Sequence, residues 1–152
     1  MTDRVLRILE YDKIVEKLQE HASSEMGKER AGLLRPASGH AAVANLLKET
    51  LEADDELTRL GRSPVEGFPD VRGALKRSGA TLALGMGELL SIAKALRSLR
   101  FAKASLTNEE RPTGLYNMAM TLRTARGVEE EIFRCILTED EMADAASPKL
   151  AS

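Results

Sequence analysis

An all-α fold follows from three observations. Apolar residues recur at spacings of three and four along most of the chain, which is the period of a helix face. Glycine and proline fall between those periodic stretches, as punctuation. Aromatics are scarce, with three Phe, two Tyr and no Trp, so the core must be built from thin aliphatic ridges. Together they predict an irregular array of about seven or eight helices, forming a single domain over residues 1–152.

The elements read in order. Asp3 caps a short helix carrying Val5, Leu6 and Leu9. Asp12 caps a second, with Ile14, Val15, Leu18 and Ala22 in helical register. Ser24 starts a third, whose apolar positions are Ala31 and Leu34, with Pro36 just past its end. A long helix lies between Ser38 and Gly61. Its stripe is Val43, Leu46, Leu47, Thr50, Leu51, Leu57 and Leu60, and the acidic group Glu52, Asp54, Asp55 and Glu56 is expected on its wet side.

A Gly/Pro-rich loop follows, and Asp70 caps a short helix closed by Ser78-Gly79. The next helix runs from Met86 to about Ser105 with a buried ridge of Leu89, Ile92, Ala93, Leu96 and Leu99. Thr107 and Glu110 have the spacing of a capping box, although Pro112 disfavours helix at Arg111. Leu115, Met118, Ala119 and Leu122 mark another helix, broken by Gly127. Val128, Ile132, Cys135 and Ile136 mark the last full one, with Glu129, Glu130 and Glu131 in its first turn, where the helix dipole favours anions. Residues 137–143 read as a loop or as a tight hairpin turning at Asp140. Ser147-Pro148 has the form of an N-cap and first helical residue, so the chain is expected to be a piece of something longer.

Composition excludes several classes. The 22 basic and 24 acidic residues leave a net charge of −2, which argues against a stand-alone nucleic-acid-binding domain. A single cysteine, Cys135, excludes an internal disulfide and fits a reducing compartment. No apolar run approaches the roughly 18 residues of a membrane span, and the N-terminus lacks the apolar stretch of a signal peptide. The expected location is the cytoplasm, with no membrane partner.

No catalytic set is legible. His21 and His40 have no Cys or His at ligand spacing, so no metal site is expected. Cys135 lies on an apolar ridge without a base beside it and reads as a core residue. Gly85-Met86-Gly87 reads as helix entry, since no strand precedes it and no Gly-Lys-Ser/Thr occurs anywhere. No cofactor site is expected in this chain.

One feature invites a binding role. Lys94, Arg97, Arg100 and Lys103 recur every three residues, with Lys76 and Arg77 shortly before. Successive members drift by about 60° round the helix, giving a broad basic face. Such a face is either a solvated helix surface or a contact for a phosphate backbone or an acidic partner. Base readout is not expected, because no aromatics interleave the charges.

Five stretches, in order, resemble the start of a known family. They are Leu9-Glu10-Tyr11-Asp12-Lys13-Ile14 with Leu18-Gln19-Glu20-His21-Ala22; Gly27-Lys28-Glu29-Arg30-Ala31 with Leu34-Arg35-Pro36; Phe68-Pro69-Asp70-Val71-Arg72-Gly73-Ala74-Leu75-Lys76-Arg77; Gly87-Glu88-Leu89-Leu90-Ser91-Ile92-Ala93 with Leu96-Arg97; and Asp144-Ala145-Ala146-Ser147-Pro148-Lys149-Leu150. The chain resembles the N-terminal core, or lever, segment of the second MutS branch, whose members are associated with recombination and collided ribosomes. The resemblance implies a large bacterial, cytoplasmic, homodimeric parent without mismatch-reading domains. In that parent, clamp arms, an ABC-type ATPase and often an Smr nuclease domain follow the core. It implies that ATP and Mg are bound by those domains, which are absent here, and that DNA or a ribosome is met through the parent. The expected role is then non-catalytic: coupling the nucleotide-driven dimer to the nucleic-acid clamp. The family commonly has a glycine turn where Asp140 stands here. A free-standing helical adaptor for a protein partner is the alternative reading of the same residues.

Overall fold

The structure is a computed structural model and describes residues 3–146. Among them are eight α-helices and a terminal 3-10 turn, in the all-α arrangement expected. The expected helix start at Ser147-Pro148 lies outside the described residues.

The first three helices are α1 (Asp3–Ile8), α2 (Tyr11–His21) and α3 (Glu25–Gly32). Ser24 caps α3 as read, its Oγ accepting the Gly27 N–H at 3.1 Å. Asp12 does not cap α2. That helix begins one residue earlier, behind Glu10 in a left-handed conformation (φ 52°), and Asp12 lies in its first turn, where the dipole favours it. Two contacts tie this unit to the rest. Arg72 bridges Glu29 (2.7 Å) and Asp70 (2.6 Å). Gly67 lies so close to Ser23 that a Cβ there would stand 2.3 Å from the Ser23 carbonyl oxygen. Only glycine permits that backbone approach.

Helix α4 (His40–Leu60) ends at Gly61, whose positive φ of 65° lets its N–H reach the Leu57 carbonyl at 2.9 Å. Helix α5 (Arg72–Gly79) follows a loop; Asp70 accepts the Arg72 N–H at 2.9 Å, close to the role expected of it. Helix α6 (Met86–Thr107) is the hub. Leu90, Ala93, Ala95, Ser98 and Ala102 are buried on it, and these positions span about 200°, a little over half its circumference. The expected ridge is therefore only part of the truth: Leu89, Ile92, Leu96 and Leu99 are half-buried, while small residues take the tightest places. Ala93 is completely buried.

Helix α7 (Gly114–Thr121) packs on α6, and α8 (Arg126–Cys135) packs on it as well. No helix starts at Thr107. That residue ends α6, and Thr113 caps α7 by accepting the Tyr116 N–H at 3.1 Å. Pro112 lies in the connection, as its bias against helix requires. Gly127 is not a breaker either, since it lies inside the first turn of α8. Residues 136–143 form the tight hairpin, with one antiparallel bridge from Ile136 to Met142 and Leu137 N–H donating to Glu141 at 2.9 Å. Asp140 keeps a negative φ, so this turn needs no glycine.

Candidate contact face and the carboxylates beneath it

The basic face of α6 divides once its partners are seen. Arg97 and Arg100 converge on Glu129 of α8, a carboxylate with a side chain only 3% exposed. Arg100 makes two bonds to it, both 2.8 Å, and Arg97 a longer one of 3.3 Å. The Arg97 guanidinium also lies over the Phe133 ring, 4.0 Å from its centroid, and Arg100 over Phe101 at 4.6 Å. Hydrogen bonding from Arg100, opposed by burial and reinforced by Arg97, holds the Glu129 carboxyl below its ordinary value. A charge this buried is tolerable only because two guanidiniums satisfy both its oxygens.

The other members differ. Lys103 donates to the Leu122 carbonyl at 2.8 Å and to Met120 at 3.4 Å, closing carbonyls at the end of α7. Arg77 pairs with Glu88 at the start of α6. Lys76 and Lys94 are exposed and have no ion pair among the described residues. The six residues therefore comprise two solvated lysines and four cations already engaged within the fold. Arg97 is nonetheless 47% exposed and Arg100 29%, so each presents an edge to solvent.

A second buried carboxylate repeats the device. Glu56 of α4 is clamped by Arg59 at 2.6 Å and by Arg111 at 3.3 Å. Arg59 also donates to the Ser105 carbonyl of α6, and Glu52 accepts the Gly114 N–H at the start of α7 at 2.8 Å. The acidic group expected on the wet side of α4 is thus split. Asp54 and Asp55 are exposed, whereas Glu56 and Glu52 face the body and hold α4 to it. Glu56 did not stand out in the sequence as a buried residue. Glu129 did carry a signal, being three, four and seven residues before Ile132, Phe133 and Ile136 and so on their helix face.

Cys135 is half-buried, less enclosed than a core residue. Burial, and then the Glu131 carboxylate, push its thiol up, which lowers its reactivity. His21 and His40 are exposed at a helix end and a helix start. Among the described residues no His, Cys, Asp and Glu side chains gather into a group able to hold a metal ion, and no helix is long and apolar enough to cross a membrane.

No protein-family model matches the chain. Individual relatives do. It is 38% identical over 156 residues to Endonuclease MutS2 of Acetivibrio thermocellus, and 40% identical over 155 residues to that of Clostridium perfringens strain 13. Endonuclease MutS2 of Geobacillus sp. strain WCH70 is 38% identical over 156 residues. In each case the match covers all of this chain and 20% of the relative, so the chain spans about one fifth of their length. Along its whole length the chain matches the N-terminal part of these MutS2 proteins.

Proposed function

We propose that this segment performs no reaction itself and couples a nucleotide-driven dimer to a nucleic-acid clamp within a longer, cytoplasmic MutS2 polypeptide. The observation carrying the reading is the cross-bracing of α6. That helix is about 33 Å long by its residue count. Near its middle it is tied to α8 through Glu129, and near its end to α4 through Arg59, itself bonded to Glu56. A helix held at two points by buried, fully bonded carboxylates transmits displacement instead of bending. ATP and Mg would belong to the other domains of the parent.

The test is made in the full-length parent. Ala104→Gly softens α6 at an exposed position, at a cost of about 1 kcal/mol of helix propensity. The ratio of affinities for branched DNA, or for ribosomes, in the ATP and ADP states should fall towards one while ATP binding itself holds. An unchanged ratio removes the coupling reading.

The surface proposed to meet phosphate or an acidic partner is the basic face of α6 with its approach from α5. Lys76 and Lys94 supply uncommitted charge, and the outer edges of Arg97 and Arg100 add to it. Arg77 and Lys103 brace the same face. Lys76→Glu with Lys94→Glu should weaken nucleic-acid or ribosome binding and flatten its salt dependence. Unchanged binding with an unchanged salt slope excludes this surface.

A further inference from the structure

Two of the chain's three phenylalanines lie beneath the arginines of α6. Phe101 stands between Arg100 and Lys103 in the sequence, and the fold brings Phe133 of α8 under Arg97. Aromatics therefore do interleave the charges, against the expectation from the sequence, because one of the two rings arrives from another helix. Lys94, Arg97 and Phe101 are exposed and lie within about 60° of one another round α6. The Phe101 ring keeps 38% of its surface in water although Arg100 lies over it. Glu129 bonds both guanidiniums, so their planes are fixed before any ligand arrives and little rotamer freedom is left to lose. The result is a short row of flat, immobile surfaces. From Lys94 to Phe101 it rises about 10 Å along the helix, the length of about three stacked nucleotides.

We propose that this strip binds an unpaired run of nucleic acid, its bases stacking on the Phe101 ring and the Arg97 guanidinium and its phosphates meeting Lys94. Two observations select a single strand. The first is charge. Glu129 cancels one of the two guanidiniums, and Arg126 and Arg134 of α8 are matched by Glu130 and Glu131. What is left falls well short of the roughly six to ten phosphate contacts of a strongly salt-dependent duplex binder. The second is the flat plates. A duplex hides its base faces within its own stack, whereas an unpaired base offers a face to rings and guanidinium planes alike. An acidic peptide would use the charges and leave the rings idle. Stacking accepts every base, so the strip carries no sequence preference. The inference rests on the reading of the α6 face as a nucleic-acid contact, but not on the coupling role.

The experiment titrates the full-length parent with oligothymidylate and oligouridylate of about ten nucleotides, and with abasic strands of the same length and charge. At least one base-bearing strand should bind more tightly than its abasic counterpart. Phe101→Leu keeps the apolar bulk, removes the aromatic face and should reduce that preference by about fivefold or more. The strand that shows the effect tells DNA from RNA. Abasic strands bound equally well, or a preference untouched by Phe101→Leu, overturn the proposal. The unsubstituted parent gives an independent readout. The same strands carrying iodouracil should, on irradiation, attach to the peptide that holds Phe101 or Phe133. Attachment confined to other peptides overturns the proposal. Either failure leaves the surface reading itself standing, because that is decided by the salt slope of Lys76→Glu with Lys94→Glu.

Discussion

Helices α4 and α6 are nearly the same length, 21 and 22 residues, and have opposite fates. The one with the cleaner leucine stripe, α4, leaves that stripe in water and attaches by glutamates. The one with apolar residues all round, α6, is enclosed by α7, α8 and the loop at Glu66, whose carbonyl accepts the Ser98 hydroxyl at 2.7 Å. The comparison teaches that amphipathicity states how much of a helix must be covered, not by what. A helix apolar on several sides is a hub by necessity. A helix with one strong stripe can still turn it outward when the polar groups on its other side bind the body.

The largest expected effect comes from attacking the hub. Arg97→Glu with Arg100→Glu sets three carboxylates together at a buried position, and the 152-residue chain should lose its cooperative unfolding transition by circular dichroism. A retained transition would show that Glu129 does not hold α8 to α6. The same variant is thus unsuited to testing nucleic-acid binding, which is why Lys76 and Lys94 are used for that purpose.

Next comes Leu90→Ala, which empties a buried hub position and should cost about 2–4 kcal/mol in urea unfolding. A cost near zero would place the hub elsewhere.

A smaller effect follows from pH. Glu129 is depressed below its ordinary 4.5, and Asp70 and Glu131 are each held down to about 2, by Arg72 and Arg134 respectively. Depressed carboxylates contribute stability that is complete above their unfolded values and lost as pH falls through the folded ones. The chain should therefore weaken between about pH 4.5 and pH 2, and Glu129→Gln should show a shallower fall over that window. Equal slopes would mean that Glu129 is not selectively stabilised in its charged form.

The smallest effect belongs to α4. Leu47→Ala in the isolated chain should change stability by less than about 0.5 kcal/mol, since the residue is 58% exposed. A cost as large as that of Leu90→Ala would erase the difference between the two helices.

Local signals were legible where the physics is local. Ser24 and Gly61 set helix ends through bonds to residues three or four positions away, and both are found as read. Asp12 and Thr107 were misplaced as caps because several residues near each boundary compete for the same amides, and the winner depends on how the neighbouring helix enters. The basic face was visible as a pattern of residue types. Its division into solvated lysines and committed arginines was not, because Glu129 is 29 residues from Arg100.

By itself, the sequence determined the helices, the positions of most of their ends, and the absence of a legible P-loop or ligand-spaced histidines and cysteines. Those follow from periodicity and capping, which act within a turn or two. Tertiary structure alone decided which face of each helix turns inward, because that choice is made by groups distant in the chain. A glutamate that finds two arginines can be held inside, and the leucines on the outward face of α4 stay in water.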